Sequence, residues 1–167
     1  STWISSKGKY LSQFESQFSA FTGVKYSTAV SNGTVAIHLA LVALGIGPDD
    51  EVIVPTFTYI ASVNAIAYTG ATPVFVDSLK TTWQMDPDDI VRKISPRTKA
   101  IMAVHLYGYP CDMDKLSKIC KERGLLLIED CAEAFGSYYK GQHVGIFGDV
   151  STFSFFGNKT ITTGEGG

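Results

Sequence analysis

Short apolar runs alternate with helix-patterned segments along almost the whole chain, and this alternation limits the fold more than any other feature. Tyr10, Leu11, Phe14, Phe18 and Phe21 recur at helical spacing, which predicts an amphipathic helix over 9–22, ended by Gly23. Tyr26 to Val30 reads as a short strand. Residues 34–44 are apolar nearly all round and read as a buried helix. A loop over 45–50 leads to a strand over 51–54, broken by Pro55, then a helix over 59–68 with Gly70 just beyond it and a strand over 73–76. Asp86-Pro87 supplies a cap and a proline at the first helical position, so a helix runs to about Ile94. Strands follow over 99–104, 125–129 and 150–155. Between the first two, Asp112 caps a helix with Met113, Leu116, Ile119 and Cys120 on one face. Such regular alternation predicts an α/β fold with a largely parallel sheet flanked by helices.

The chain has 167 residues, 45% hydrophobic and 18% charged, enough for one ordered domain with a sizeable core. A net charge of −2 argues against nucleic acid or an anionic membrane as partner. Cys111, Cys120 and Cys131 form no Cys-x-x-Cys pair, read as reduced thiols, and predict no metal site. No apolar run approaches the roughly 18 residues of a membrane span. A soluble, cytoplasmic protein is the expectation. Because the chain stops within a glycine-rich turn at Gly166-Gly167, it reads as the N-terminal part of a larger protein.

Three features carry chemistry. Ser31-Asn32-Gly33-Thr34 joins a strand to a helix, where free N–H groups and the helix dipole bind a phosphate; Ser31 and Asn32 also fit an ordinary cap. Neither G-x-x-x-x-G-K-[ST] nor G-x-G-x-x-G is present. Asp130 ends an apolar strand, where open α/β sheets place ligands; it reads either as the partner of a cation or as a cap of the next turn. Glu133 falls near the same place or faces solvent. Lys159 stands among Phe155, Phe156, hydroxyl residues and glycines, which suits a restricted, reactive amine, with a solvated loop lysine as the alternative. Tyr59, at a strand-to-helix turn, either stacks on a planar ring or packs in the core. Ser154 has a hydroxyl that could reach a phosphate. His38 reads as a hydrogen-bonded structural histidine, and His105 as a strand-end residue able to face a ligand. A phosphate cradle, a buried carboxylate and a lone lysine together meet the needs of pyridoxal 5'-phosphate (PLP).

Ser-Asn-Gly-Thr (31–34), Pro-Thr-Phe-Thr-Tyr (55–59), His-Leu-Tyr-Gly (105–108), Glu-Asp-Cys-Ala-Glu-Ala (129–134), Ser-Phe-Phe-Gly-Asn-Lys (154–159) and Gly-Glu-Gly-Gly (164–167) occur in that order. The set resembles the DegT/StrS-type sugar-nucleotide aminotransferases, PLP enzymes of the aspartate-aminotransferase fold (fold type I). The resemblance implies that Lys159 carries PLP and moves protons, and that Asp130 pairs with the pyridine nitrogen. It places Glu133 near the ring hydroxyl and Tyr59 on the ring, and gives the phosphate to Gly33, Thr34 and Ser154. It also implies that residues 1–167 hold an N-terminal segment and most of the PLP-binding large domain. A small C-terminal domain would lie outside this chain, and the active site would sit at a homodimer interface. The run 154–167 and Thr-Trp-Gln-Met-Asp (82–86) are most similar to the GDP-perosamine synthases. Those members aminate GDP-4-keto-6-deoxy-D-mannose at C4 with glutamate as donor. Two other roles stay open: a PLP-dependent sugar dehydratase on the same scaffold, whose members carry histidine in place of the lysine, and a non-catalytic fragment that binds cofactor or sugar nucleotide.

Overall fold

The computed structural model describes residues 8–167; residues 1–7 of the expected N-terminal segment lie outside the described residues. Helix α1 spans Lys9–Thr22 and stops at Gly23, whose φ of 85° lets its N–H turn back to the Ser19 carbonyl. Helix α2 (Gly33–Ala43) is capped by the Asn32 side chain, which accepts from the Val35 N–H. The order continues β1 (Glu51–Pro55), α3 (Ile60–Tyr68), β2 (Thr72–Val76), α4 (Pro87–Lys93) and β3 (Thr98–Val104). A short 3-10 turn over Leu106–Gly108 follows, then α5 (Met113–Arg123) and β4 (Leu126–Asp130). Last come β5 (Tyr138–Tyr139), β6 (Gln142–His143) and β7 (Val150–Thr152). The expected caps hold: Asp86 accepts from Asp88 N–H, with Pro87 opening α4, and Asp112 accepts from Lys115 N–H at the start of α5.

Five strands form one parallel sheet in the order β2-β1-β3-β4-β7. Side chains alternate across it. Val52, Val54, Met102, Val104 and Ile128 pack with Ile37, Leu41, Ala65 and Ile66 of α2 and α3. Ile53, Ile101, Ala103 and Leu127 pack on the other face with Ile90 of α4 and Met113, Leu116 and Ile119 of α5. The result is a helix–sheet–helix sandwich whose strands all end at one edge, where such sheets hold their ligands.

Four expectations need correction. Residues 26–30 form no strand. Val30 and Gly167 exchange two backbone hydrogen bonds (2.9 and 3.0 Å), while Ser27 and Ala29 bond to Glu15 of α1. One residue pair makes no ladder. The run 150–155 is a strand only to Thr152, because β4 ends at Asp130 and Phe155 bonds instead with Gly166 and Thr163. Pro55 does not break β1; it is the strand's last residue, paired in register with Val76. Helix α2 is buried on one stripe only. Ile37, Ala40 and Leu41 face the sheet, whereas Val35, Leu39 and Val42 are exposed. Among the described residues its outward face is apolar and without a partner.

Candidate active site

The carboxyl ends of β3 and β4 and the amino ends of α2 and α3 converge on a cavity of about 480 Å³. The seven residues to which the resemblance gives a cofactor role line it: Gly33, Thr34, Tyr59, Asp130, Glu133, Ser154 and Lys159.

Asp130 closes the floor. It is the last residue of β4 and lies on the α2/α3 face of the sheet. Its side chain accepts from Ser62 Oγ at 2.7 Å and from the Ala132 N–H at 3.1 Å. Burial pushes its pKa above the ordinary carboxylate value. The Ser62 and Ala132 hydrogen bonds, and the charge of Lys159, offset only part of that. Such a carboxylate is poised to gain from a cation placed against it.

Lys159 reaches in from the loop after β7. Only 16% of its side chain is exposed, and Nζ lies 4.0 Å from Glu133 Oε1. Glu133 Oε2 accepts the Tyr107 N–H at 2.9 Å, which fixes the carboxylate beside the amine. The sequence pattern shows no acidic neighbour for this lysine; the fold supplies one from the β4–β5 connection.

The opposite wall is the start of α2. Its Val35 and Ala36 N–H groups are taken by Asn32, through Oδ1 and the carbonyl, so Gly33 and Thr34 are the donors that the first turn still offers. A Cβ on Gly33 would stand 2.8 Å from Ser154 Cβ, so only glycine lets α2 sit this close to the segment after β7. Ser154 is buried beside it, with its Oγ 3.4 Å from the Phe156 N–H. Tyr59, at the start of α3, is 69% exposed on the rim; it belongs to the cavity wall and not to the core.

His105 does not face the cavity. It lies on the opposite face of the sheet, wholly buried, with Nε2 3.1 Å from Glu129 Oε2 and Nδ1 accepting the Cys111 N–H. Glu129 also accepts the N–H groups of Gly145, Phe147 and Gly148 at 2.7–2.8 Å. With Cys131 these side chains bring potential ligand atoms within 4.8 Å of one another, but imidazole and carboxylate already satisfy each other. Among the described residues His38 has an edge-on contact with the Tyr68 ring, 6.2 Å between centroids, in place of the expected structural hydrogen bond.

Sequence reasoning missed Ser62 and Glu129. Each carries a faint signal: one serine facing inward within the apolar run of α3, and one acid inside a strand with no other polar residue before it.

The whole chain, residues 1–167, matches the model of the DegT/DnrJ/EryC1/StrS aminotransferase family. It is a member of that family. The family member GDP-perosamine synthase of Escherichia coli O157:H7 is 70% identical over 167 residues, which are 100% of this chain and 46% of that protein. GDP-perosamine synthase of Vibrio cholerae is 60% identical over the same span, again 46% of its length. The chain thus spans about half the length of these relatives. Among solved structures, S. venezuelae DesV superposes with a TM-score of 0.93 at 44% identity, covering 95% of this chain and 43% of that one. The PLP form of the sugar aminotransferase Spr1654 from Streptococcus pneumoniae gives 0.95 at 38% identity, covering 99% and 46%. The aminotransferase fold expected from the sequence is therefore the fold observed.

Proposed function

We propose that the chain is the PLP-binding part of a cytoplasmic sugar-nucleotide aminotransferase. It transfers the amino group of glutamate to C4 of GDP-4-keto-6-deoxy-D-mannose, giving 2-oxoglutarate and GDP-perosamine. One observation carries the reading: a largely shielded lysine amine, a buried carboxylate and a helix N-terminus line the same cavity. The similarity to GDP-perosamine synthases supports the choice of sugar.

These residues fit PLP by their chemistry. Gly33 and Thr34 N–H groups with Ser154 Oγ would hold the phosphate. Asp130, uncomfortable as a buried anion, would gain the protonated ring nitrogen as its counter-charge, and Tyr59 would cover a ring face. PLP, when bound, supplies the electron sink that lets a carbon bearing nitrogen lose a proton. The chain's part is then positional. Lys159 would hold the cofactor and, once displaced by the incoming amine, would take the proton from the glutamate carbon in one half-reaction and deliver one to C4 of the sugar in the other, and Glu133 would keep the amine aimed. One lysine serves both half-reactions, which predicts ping-pong kinetics.

The reading extends to the rest of the protein. A small C-terminal domain outside this chain is consistent with the 46% coverage of the relatives. A homodimer is consistent with the uncovered apolar stripe Val35, Leu39 and Val42 beside the site. Among the described residues no helix is long and apolar enough to cross a membrane.

The test is the cofactor spectrum of the full-length protein, recorded with PLP before and after glutamate. The wild type is expected to change its absorbance, and Lys159→Ala to lose both the change and turnover. An unchanged wild-type spectrum, or a turning-over Lys159→Ala, overturns the proposal. Amine-free release of a dehydrated sugar would favour the dehydratase instead.

A further inference from the structure

Beside the cavity lies a structure that the proposed chemistry does not use. Gln84 is buried, and its amide forms a reciprocal pair with Leu106: Nε2 donates to the Leu106 carbonyl and Oε1 accepts the Leu106 N–H, both at 3.3 Å. This pair bolts the 77–86 loop to the turn after β3. The loop is itself closed by Trp83 N–H to Leu79 carbonyl and Leu79 N–H to Gln84 carbonyl, each 2.8 Å.

Each side of the bolt presents an aromatic residue. Trp83 precedes Gln84 and Tyr107 follows Leu106, and they are 59% and 77% exposed. Both hold left-handed backbone, with φ of 66° and 53°, which bulky side chains rarely adopt. Phe57 stands between them, 5.5 Å from the Trp83 ring and 6.4 Å from the Tyr107 ring. Two strained aromatic positions, rigidly supported from beneath and not used for the core, suggest a role in binding.

The ledge is continuous with the cavity. Phe57 adjoins Thr58 and Tyr59, which line it. The Tyr107 N–H bonds the same Glu133 carboxylate that faces Lys159. A cavity of about 480 Å³ is of a size that a cofactor with a sugar ring would fill, so the nucleoside end of a sugar nucleotide would fall on the rim.

We propose that Phe57, Trp83 and Tyr107 form the platform on which the planar base of the sugar nucleotide stacks. Aromatic faces suit a heterocyclic base, whereas a sugar ring needs convergent polar groups. The inference rests on the sugar-nucleotide reading above and adds where the base is held.

The experiment uses the full-length PLP-loaded enzyme, GDP and ribose 5-diphosphate as probes, and the variants Trp83→Ala and Tyr107→Gly. Glycine tolerates the φ of 53°, so Tyr107→Gly removes the ring without straining the backbone. By calorimetry each variant is expected to raise the Kd for GDP at least tenfold and leave that for ribose 5-diphosphate within twofold. In Trp83→Ala the urea midpoint and the spectral response to glutamate should not move; Tyr107→Gly, whose backbone N–H holds Glu133, is read on GDP and ribose 5-diphosphate affinity alone. A GDP Kd within twofold of wild type in both variants overturns the proposal, as does a wild type that binds GDP no better than ribose 5-diphosphate. Loss of the oligomer in sedimentation with GDP affinity intact also overturns it, and assigns the rings to a subunit contact. Failure of the glutamate response in the wild type would instead sink the aminotransferase reading, while GDP binding still reports on the ledge.

Discussion

Ser62 Oγ sits 2.7 Å from Asp130 Oδ2, and this contact between α3 and β4, 68 residues apart, sets the state of the cavity floor. The hydroxyl favours the ionised carboxylate, against the burial that disfavours it. Ser62→Ala removes one of the few groups that keep Asp130 charged. A hydrogen bond to a charged group contributes about 1.5–3 kcal/mol, so PLP affinity of the full-length enzyme should fall roughly tenfold or more. Equilibrium dialysis against PLP checks this; an unchanged Kd would mean that Asp130 needs no help.

Asp130 itself costs the empty protein stability. Its folded pKa is raised, so the folded state binds its proton more tightly than the unfolded chain does. The penalty is present above the folded pKa and is relieved as pH falls through it. Asp130→Asn keeps an acceptor for the Ala132 N–H, lets the Ser62 hydroxyl turn and accept from the amide, and removes the charge. At pH 7 the PLP-free variant should be more stable than wild type by about 1–3 kcal/mol in urea denaturation, while kcat falls more than tenfold. A destabilised PLP-free variant would contradict the assignment of burial as the main influence on this group.

Glu129 has the opposite sign. Burial raises its pKa, but the His105 contact and the backbone N–H groups of Gly145 and Gly148 outweigh this and hold it below the ordinary value of 4.5. Its stabilisation is present above about pH 4.5 and is lost as pH falls through the lowered folded value. Glu129→Ala strands four donors, those of His105 and Gly145 buried, and should cost on the order of 3–5 kcal/mol at neutral pH. Stability measured from pH 7 to 3 should also lose part of its acid limb. A loss under about 1 kcal/mol would show that the 145–148 turn rearranges to satisfy itself.

Gly33→Ala tests the closeness of α2 to the segment after β7. The added methyl meets Ser154 Cβ at 2.8 Å, and Ser154 is buried with little room to yield. The helix start and the serine should separate, lowering PLP affinity at least tenfold with a stability loss of about 1–3 kcal/mol. Retained affinity would mean that the phosphate is held elsewhere.

Much of this was legible in the sequence, for local reasons. Gly23, Asp86-Pro87 and Asp112 mark helix ends by their own chemistry, and the apolar runs of β1, β3 and β4 are long enough to read as buried strands. Residues 26–30 have equally good strand chemistry, yet a strand exists only where a neighbour pairs with it, which no local pattern reports. The hairpin of β5 and β6 escaped for another reason: its turn is Lys140-Gly141, both at positive φ, and lysine gives no turn signal. In the site, lysine, carboxylate and glycine positions stood out because each residue type is costly elsewhere. Ser62 did not, because a serine in an apolar helix is ordinary until Asp130 is seen across from it. The outward stripe of α2 reads like its inward one because apolarity records burial without saying by what.

Glu129 and Asp130 are neighbours in β4, so the pleat sends one to the structural turn at 145–148 and the other to the cavity. Sliding β4 one residue along Ala100–Val104 would exchange the two acids: the carboxylate with four donors would enter the cavity, and the poised one would be spent on a turn. Strand alignment and the make-up of the proposed site are therefore a single choice made during folding, and a misaligned molecule would be a compact protein whose cavity holds the wrong acid.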